Sequence, residues 1–134
     1  VISALIRAEQ NPAVVGWMRE IQDEAVFMTS TTISELVYGV MKMPDGRRKV
    51  LYDDNVAAIL SVFYDRTIDF EANAAIEYGR IVPDREAIGR PISRPDAQIA
   101  ACCLATGATL ATRNVKDFED IPGLEVINPW ELDV

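Results

Sequence analysis

The stretch RPDAQIAACCLATGATLA, residues 94–111, decides the fold class. Pro95 fits the first helical position, where a backbone N–H would have no partner anyway. Ala97, Ala100, Ala101 and Leu104 then recur at helical spacing. Gly107 suits the left-handed residue that closes a helix, and Ala108 to Ala111 is a short apolar strand. The same alternation extends outward. Asn11-Pro12 opens a helix carrying Val14, Val15, Met18, Ile21 and Ala25, and Val26 to Ser30 is a strand. Thr31-Thr32 starts a helix with Ile33, Leu36, Val37 and Val40 on one face. After the turn Pro44-Asp45-Gly46, a helix from Arg47 to Tyr64 is expected to turn Val50, Leu51, Ala57, Leu60 and Phe63 inward. Thr67 to Phe70 is a strand, and Glu71 to Val82 a helix that Pro83 should end or kink. Glu125 to Ile127 is a last strand. Strands alternating with such helices predict an α/β domain with a parallel sheet flanked by helices.

The composition narrows the chemistry. At 134 residues, 49% of them hydrophobic, the chain suits one domain with a buried core. Thirteen Lys+Arg against 21 Asp+Glu give a net charge of −8, which argues against gripping nucleic acid by bulk electrostatics alone. There is no His, which excludes Ser-His-Asp triads, imidazole bases and His metal ligands. The two cysteines, Cys102 and Cys103, are adjacent, so they form neither a zinc spacing nor a redox motif, and they suit a reducing cytoplasm. No run is long enough to span a bilayer. Catalysis, if present, falls to carboxylates and a hard metal ion.

In such a sheet, residues just after a strand and residues in the first turn of a helix meet at the carboxyl edge of the strands, where ligands bind. Three acids satisfy that rule: Glu35 after the strand Val26–Ser30, Asp96 behind Pro95, and Asp117 beyond the strand Ala108–Ala111. Each also has a plain structural reading. Glu35 could close a capping box with Thr32. Asp96 could complement a helix dipole, and Asp117 could be a solvated turn residue. Jointly, however, carboxylates brought together repel one another. A divalent cation removes that penalty, and Mg²⁺ suits a few carboxylates plus waters. Such a site activates water against a phosphodiester without His or a covalent nucleophile.

At these residues the chain resembles the PIN-domain toxins of the VapC and FitB kind. The resemblance rests on Ser34-Glu35-Leu36, Gly89-Arg90-Pro91-Ile92-Ser93, Asp96 to Ala101, Thr112-Arg113-Asn114-Val115-Lys116-Asp117-Phe118 and Asn128-Pro129-Trp130-Glu131, in the family's order along nearly the whole chain. Val1-Ile2-Ser3 is similar to the tail of that family's Asp-Thr-Asn-Val-Ile-Ser signature. The resemblance implies a three-layer PIN-like fold over residues 1–134 and a Mg²⁺- or Mn²⁺-dependent endoribonuclease, the toxin of a bacterial toxin–antitoxin pair. Asp96 and Asp117 would hold the metal, directly or through water, and Glu35 would complete the acidic ring. Thr112 and Asn114 would orient a carboxylate or water, although short polar side chains at a strand end serve equally to satisfy a turn. The family's first acidic residue ends its central first strand. Here it would precede Val1, which implies that this strand is missing and the domain N-terminally incomplete. A sheet without its middle strand leaves buried backbone groups unpaired, so the chain would fold poorly or borrow a strand.

The resemblance also implies partners: a cognate antitoxin placing a basic segment in the acidic pocket, an RNA substrate, operator DNA through the antitoxin only, no membrane, and a homodimer. Arg47, Arg48 and Lys49, or Arg80, Arg85, Arg90 and Arg94, could line an RNA path or lie solvated on helix faces. Trp17, Tyr38 or Trp130 suits an interface or the core. The rival readings are a catalytically inactive PIN-like interaction module in an antitoxin or repressor complex, and another Mg²⁺-dependent phosphatase or nuclease on a Rossmann-like sheet.

Overall fold

A computed structural model of the chain describes residues 4–6 and 25–129. Strand β1, Ala4–Ile6, is followed by β2, Val26–Thr29, and helix α1, Ser30–Lys42. Then come helix α2, Arg47–Phe63, a 3₁₀ turn, Tyr64–Arg66, and strand β3, Thr67–Ile68. Helix α3, Ala72–Ala87, and helix α4, Arg94–Thr106, lead into β4, Thr109–Ala111. A 3₁₀ turn, Val115–Phe118, and strand β5, Val126–Ile127, complete the described elements.

The sheet runs β3-β2-β1-β4-β5, with every pair parallel. The parallel α/β expectation therefore holds, but the missing central strand does not. Ala4–Ile6 occupies the middle, with Leu5 in register with Phe27 on one side and Leu110 on the other. Its backbone gives β2 and β4 the hydrogen-bonding partner that each would otherwise lack inside the protein. The expected helix from Asn11-Pro12, with Trp17, lies outside the described residues, as does Trp130.

Period-two alternation sorts the strand residues into two apolar layers. Val26, Met28 and Ala111 join Leu36, Val40, Val56, Ile59 and Phe63 beneath α1 and α2. Leu110, with partly buried Phe27 and Val126, joins Ala74, Ile81, Ile99, Phe118 and Ile121 on the α3–α4 side. On α2 the expected inner face is rotated. Val56, Ile59 and Phe63 are buried, whereas Val50 and Leu51 are 59% and 57% exposed and Ala57 is also exposed. The buried set follows i, i+3, i+7 from Val56, so the buried face is confined to the second half of the helix. On α1 the same correction applies to Val37, which is exposed.

Pro83 does not end its helix: α3 continues to Ala87. Pro83 and Gly79, four residues before it, both lie on the exposed side. The carbonyl that loses its partner can be met by water there, which lowers the usual cost of an internal proline.

Candidate active site

The carboxyl edge of the sheet is built by local signals. Thr29 caps α1: its Oγ1 accepts the Thr32 N–H at 3.1 Å and donates to the Thr32 hydroxyl at 3.1 Å, and both residues are buried. This displaces the expected capping box. With Thr29 as the cap, Glu35 falls in the second turn, out of reach of the cap position. Ser93 caps α4 by accepting the Asp96 N–H at 3.3 Å, so Pro95 and Asp96 stand one position further into the helix than the sequence reading placed them. Gly107 closes α4 with φ of 70°, the left-handed conformation expected of it.

Asp96 and Asp117 line one cleft of about 450 Å³, with Arg85, Arg90, Ser93 and Lys116. Asp96 is buried and Asp117 exposed, so the cleft carries one carboxylate on its floor and one at its mouth. Asp117 belongs to the 3₁₀ turn after β4, and its N–H donates to the Asn114 carbonyl at 3.1 Å. Thr112 is buried and its Oγ1 accepts the Asn114 N–H at 3.1 Å, which tightens the chain leaving β4 toward Asp117. Asn114 and Asp117 also line the neighbouring cleft beside Asn128.

Glu35 does not line the cleft shared by Asp96 and Asp117. It is half-buried on α1, one helical turn beyond Thr31, whose hydroxyl donates to Gln98 Oε1 on α4 at 3.0 Å. That bond joins the starts of α1 and α4. Among the described residues, no three Asp, Glu or Cys side chains gather closely enough to form a metal cage. A two-carboxylate arrangement still fits Mg²⁺ or Mn²⁺, because a small hard cation keeps several waters and takes one or two carboxylates. It does not fit a closed zinc site.

The basic residues divide in a way the sequence did not reveal. Arg85 is 4% exposed, not a solvated RNA contact. Its Nε donates to the Arg90 carbonyl at 2.7 Å, and its Nη1 to the carbonyls of Asp117 at 3.0 Å and Glu119 at 3.1 Å. The signal was present: Ala74, Tyr78, Ile81 and Arg85 form one helical stripe, and the first three pack in the α3–α4 core. Arg90 donates to the Lys116 carbonyl at 3.0 Å and pairs with Asp120 at 2.6 Å and Glu119 at 3.3 Å. The Asp120 carboxylate is the main reason that the Arg90 guanidinium titrates above its ordinary value. Arg80 pairs locally with Glu77, while Arg94 and Lys116 lie exposed beside α4 and the cleft. At the start of α2, Lys49 pairs with Asp45 and Arg48 stands over the Tyr52 ring. Tyr38, a possible core residue by sequence, is 64% exposed. No helix among the described residues is long and apolar enough to cross a membrane.

Comparison with known proteins places these features in context. The family described as PIN domain matches residues 1–124. The VapC ribonuclease Y4jK of Sinorhizobium fredii is 33% identical over 98% of this chain and 94% of its own length. Toxin FitB of Neisseria gonorrhoeae is 32% identical over 97% of this chain and 94% of its own length. The structure of FitAB bound to a DNA fragment superposes with a TM-score of 0.77 at 28% identity, covering 98% of both chains.

Proposed function

The chain belongs to the PIN-domain family, with toxin relatives of the VapC and FitB kind, and from that premise we propose that it is a metal-dependent endoribonuclease toxin. The observation that carries this reading is the shared cleft of Asp96 and Asp117 at the carboxyl edge of a parallel sheet. Buried Asp96, at the start of α4, and exposed Asp117, in the turn after β4, are the residues that would hold the divalent cation. Glu35, on α1 one turn beyond the Thr31–Gln98 bond, is the third carboxylate of the proposal and would act from outside the cleft lining. When bound, Mg²⁺ or Mn²⁺ lowers the pKa of a coordinated water and screens the phosphodiester. Thr112 and Asn114 fix the backbone that presents Asp117. Lys116, exposed and lining the same cleft, supplies a cation for the RNA phosphate.

The partner proposed is a cognate antitoxin, supported by the likeness to FitAB. Its basic segment reaches the Asp96 and Asp117 carboxylates and competes with the cation, and contact with operator DNA belongs to the antitoxin. A homodimer in the cytoplasm completes the proposal.

The purified chain is expected to cleave RNA with Mg²⁺ or Mn²⁺ and to lose cleavage in EDTA. Asp96→Asn should lower the rate by at least about a hundredfold, the scale of losing a group that acts on the transition state, with the circular dichroism spectrum unchanged. Cleavage that survives EDTA, or an Asp96→Asn rate equal to that of the unsubstituted chain, defeats the proposal. The absence of a three-carboxylate group among the described residues favours a second reading, a catalytically inactive antitoxin-binding module. Under that reading the same assay shows no metal-dependent cleavage while antitoxin binding persists.

A further inference from the structure

One buried guanidinium touches both chain segments that carry the cleft's carboxylates. Arg85 Nε holds the carbonyl of Arg90, at the start of the stretch that runs through Ser93 into Asp96. Arg85 Nη1 holds the carbonyls of Asp117 and Glu119 on the opposite wall, 32 and 34 residues away. Arg90 adds a third carbonyl from that wall, that of Lys116, and its own pairs with Glu119 and Asp120. Three carbonyls in and just after the turn bearing Asp117 are thus held by two arginines from the end of α3 and the turn beyond it. The geometry points to Arg85 and Arg90 as positioning residues that set the separation of Asp96 and Asp117, and through it the affinity for the divalent cation.

The choice of arginine has a physical reason. Its planar fork presents donors in fixed directions, so Nε and Nη1 can serve two segments at once, whereas a lysine ammonium is a single point of charge. Three carbonyls meet the buried Arg85 guanidinium, and replacing it removes their side-chain donor. Asp117 itself is exposed, so its place in the cleft depends on the backbone that carries it. Neither arginine has to touch the cation. Arg85 acts through the main chain of Asp117 itself and Arg90 through that of its neighbour Lys116, and outer partners of that sort commonly change metal affinity by about 10–100-fold.

This inference rests on the reading of Asp96 and Asp117 as the cation-binding pair, and its test separates the two. Mn²⁺ alone is titrated into the full chain and followed by electron paramagnetic resonance, and backbone amide exchange is measured over residues 113–120. Arg85→Lys is expected to weaken Mn²⁺ binding about tenfold or more and to speed exchange in that segment, with secondary structure retained. Arg80→Lys, on the exposed side of α3, should change neither. Should Arg85→Lys fail to fold, Arg90→Gln takes the same two measurements, with faster exchange and weaker Mn²⁺ binding expected. A folded variant with the exchange pattern and Mn²⁺ affinity of the unsubstituted chain overturns the positioning role. So does faster exchange with unchanged affinity. If the unsubstituted chain binds no Mn²⁺, or Asp117→Asn binds it equally well, the cation-site reading falls and the linked positioning claim falls with it.

Discussion

The two sides of the sheet are held in different ways. On the α1–α2 side the polar bonds are mostly local: Thr29 with Thr32, Ser34 with the Thr31 carbonyl, Lys49 with Asp45, Ser61 with the Ala58 carbonyl. The outer surface there is apolar at Val37, Tyr38, Met41, Val50 and Leu51. On the α3–α4 side, Arg85 and Arg90 reach residues 26 to 34 positions away, and every such bond ends on residues 116–120, in or just after the turn holding Asp117. One side is stabilised by burial and local caps. The other adds long-range polar ties where two carboxylates must keep a fixed spacing, because burial is non-directional and hydrogen bonds are not.

Matched deletions in the two layers give the strongest test of that contrast. Phe63 and Phe118 are both fully buried, one on each side. Phe63→Ala and Phe118→Ala should each cost about 3–5 kcal/mol in urea unfolding. Only Phe118→Ala should also reduce RNA cleavage when both variants are assayed well below their transitions, because Phe118 adjoins Asp117. Equal losses of cleavage would erase the distinction between the two sides.

An effect of intermediate size belongs to the thiols of α4. Burial pushes Cys102 from an ordinary value of 9.0 up to about 11, and it pushes Cys103 higher still. The unfolded thiols ionise first as pH rises, so the folded state binds more protons in that range. Stability from this source is complete below about pH 9 and declines as pH climbs toward 11. The double variant Cys102→Ala, Cys103→Ala should unfold with a shallower pH slope between 9 and 11. A slope equal to that of the parent chain would contradict the burial of the α4 thiols.

The smallest expected effect sharpens the picture of the α1–α2 surface. Val50→Thr and Leu51→Gln should each change stability by no more than about 0.5 kcal/mol, as is usual at exposed positions. A loss above about 2 kcal/mol in thermal unfolding would restore the inward orientation that their spacing suggested.

Much of the fold was legible because its signals are short-range. The pattern of residues 94–111 gave α4 and β4, since Ser93 and Gly107 cap by their own side chain or backbone freedom. Other features depended on distant partners. Whether Val50 or Val56 faces the core depends on how α2 lies against the sheet, and an amphipathic helix with two apolar stripes does not encode that choice locally. The part of Arg85 in the apolar stripe of α3 was visible, but its carbonyl partners were not. For the site, the edge rule led to Asp96 and Asp117, which share a cleft, whereas Glu35 stands outside its lining because Thr29 takes the cap position and moves the first turn of α1.

The amino-acid order by itself determined the alternation of helix and strand, the parallel sheet, the absence of imidazole chemistry and the pairing of Asp96 with Asp117 in one cleft, because periodicity, caps and residue type act within a few residues. Tertiary structure alone decided that Ala4–Ile6 fills the centre of the sheet, which face of α2 is buried, and that Arg85 ties together the walls of the cleft. Those outcomes depend on backbone groups far apart in the chain finding partners away from water, and such pairing leaves no local pattern to read.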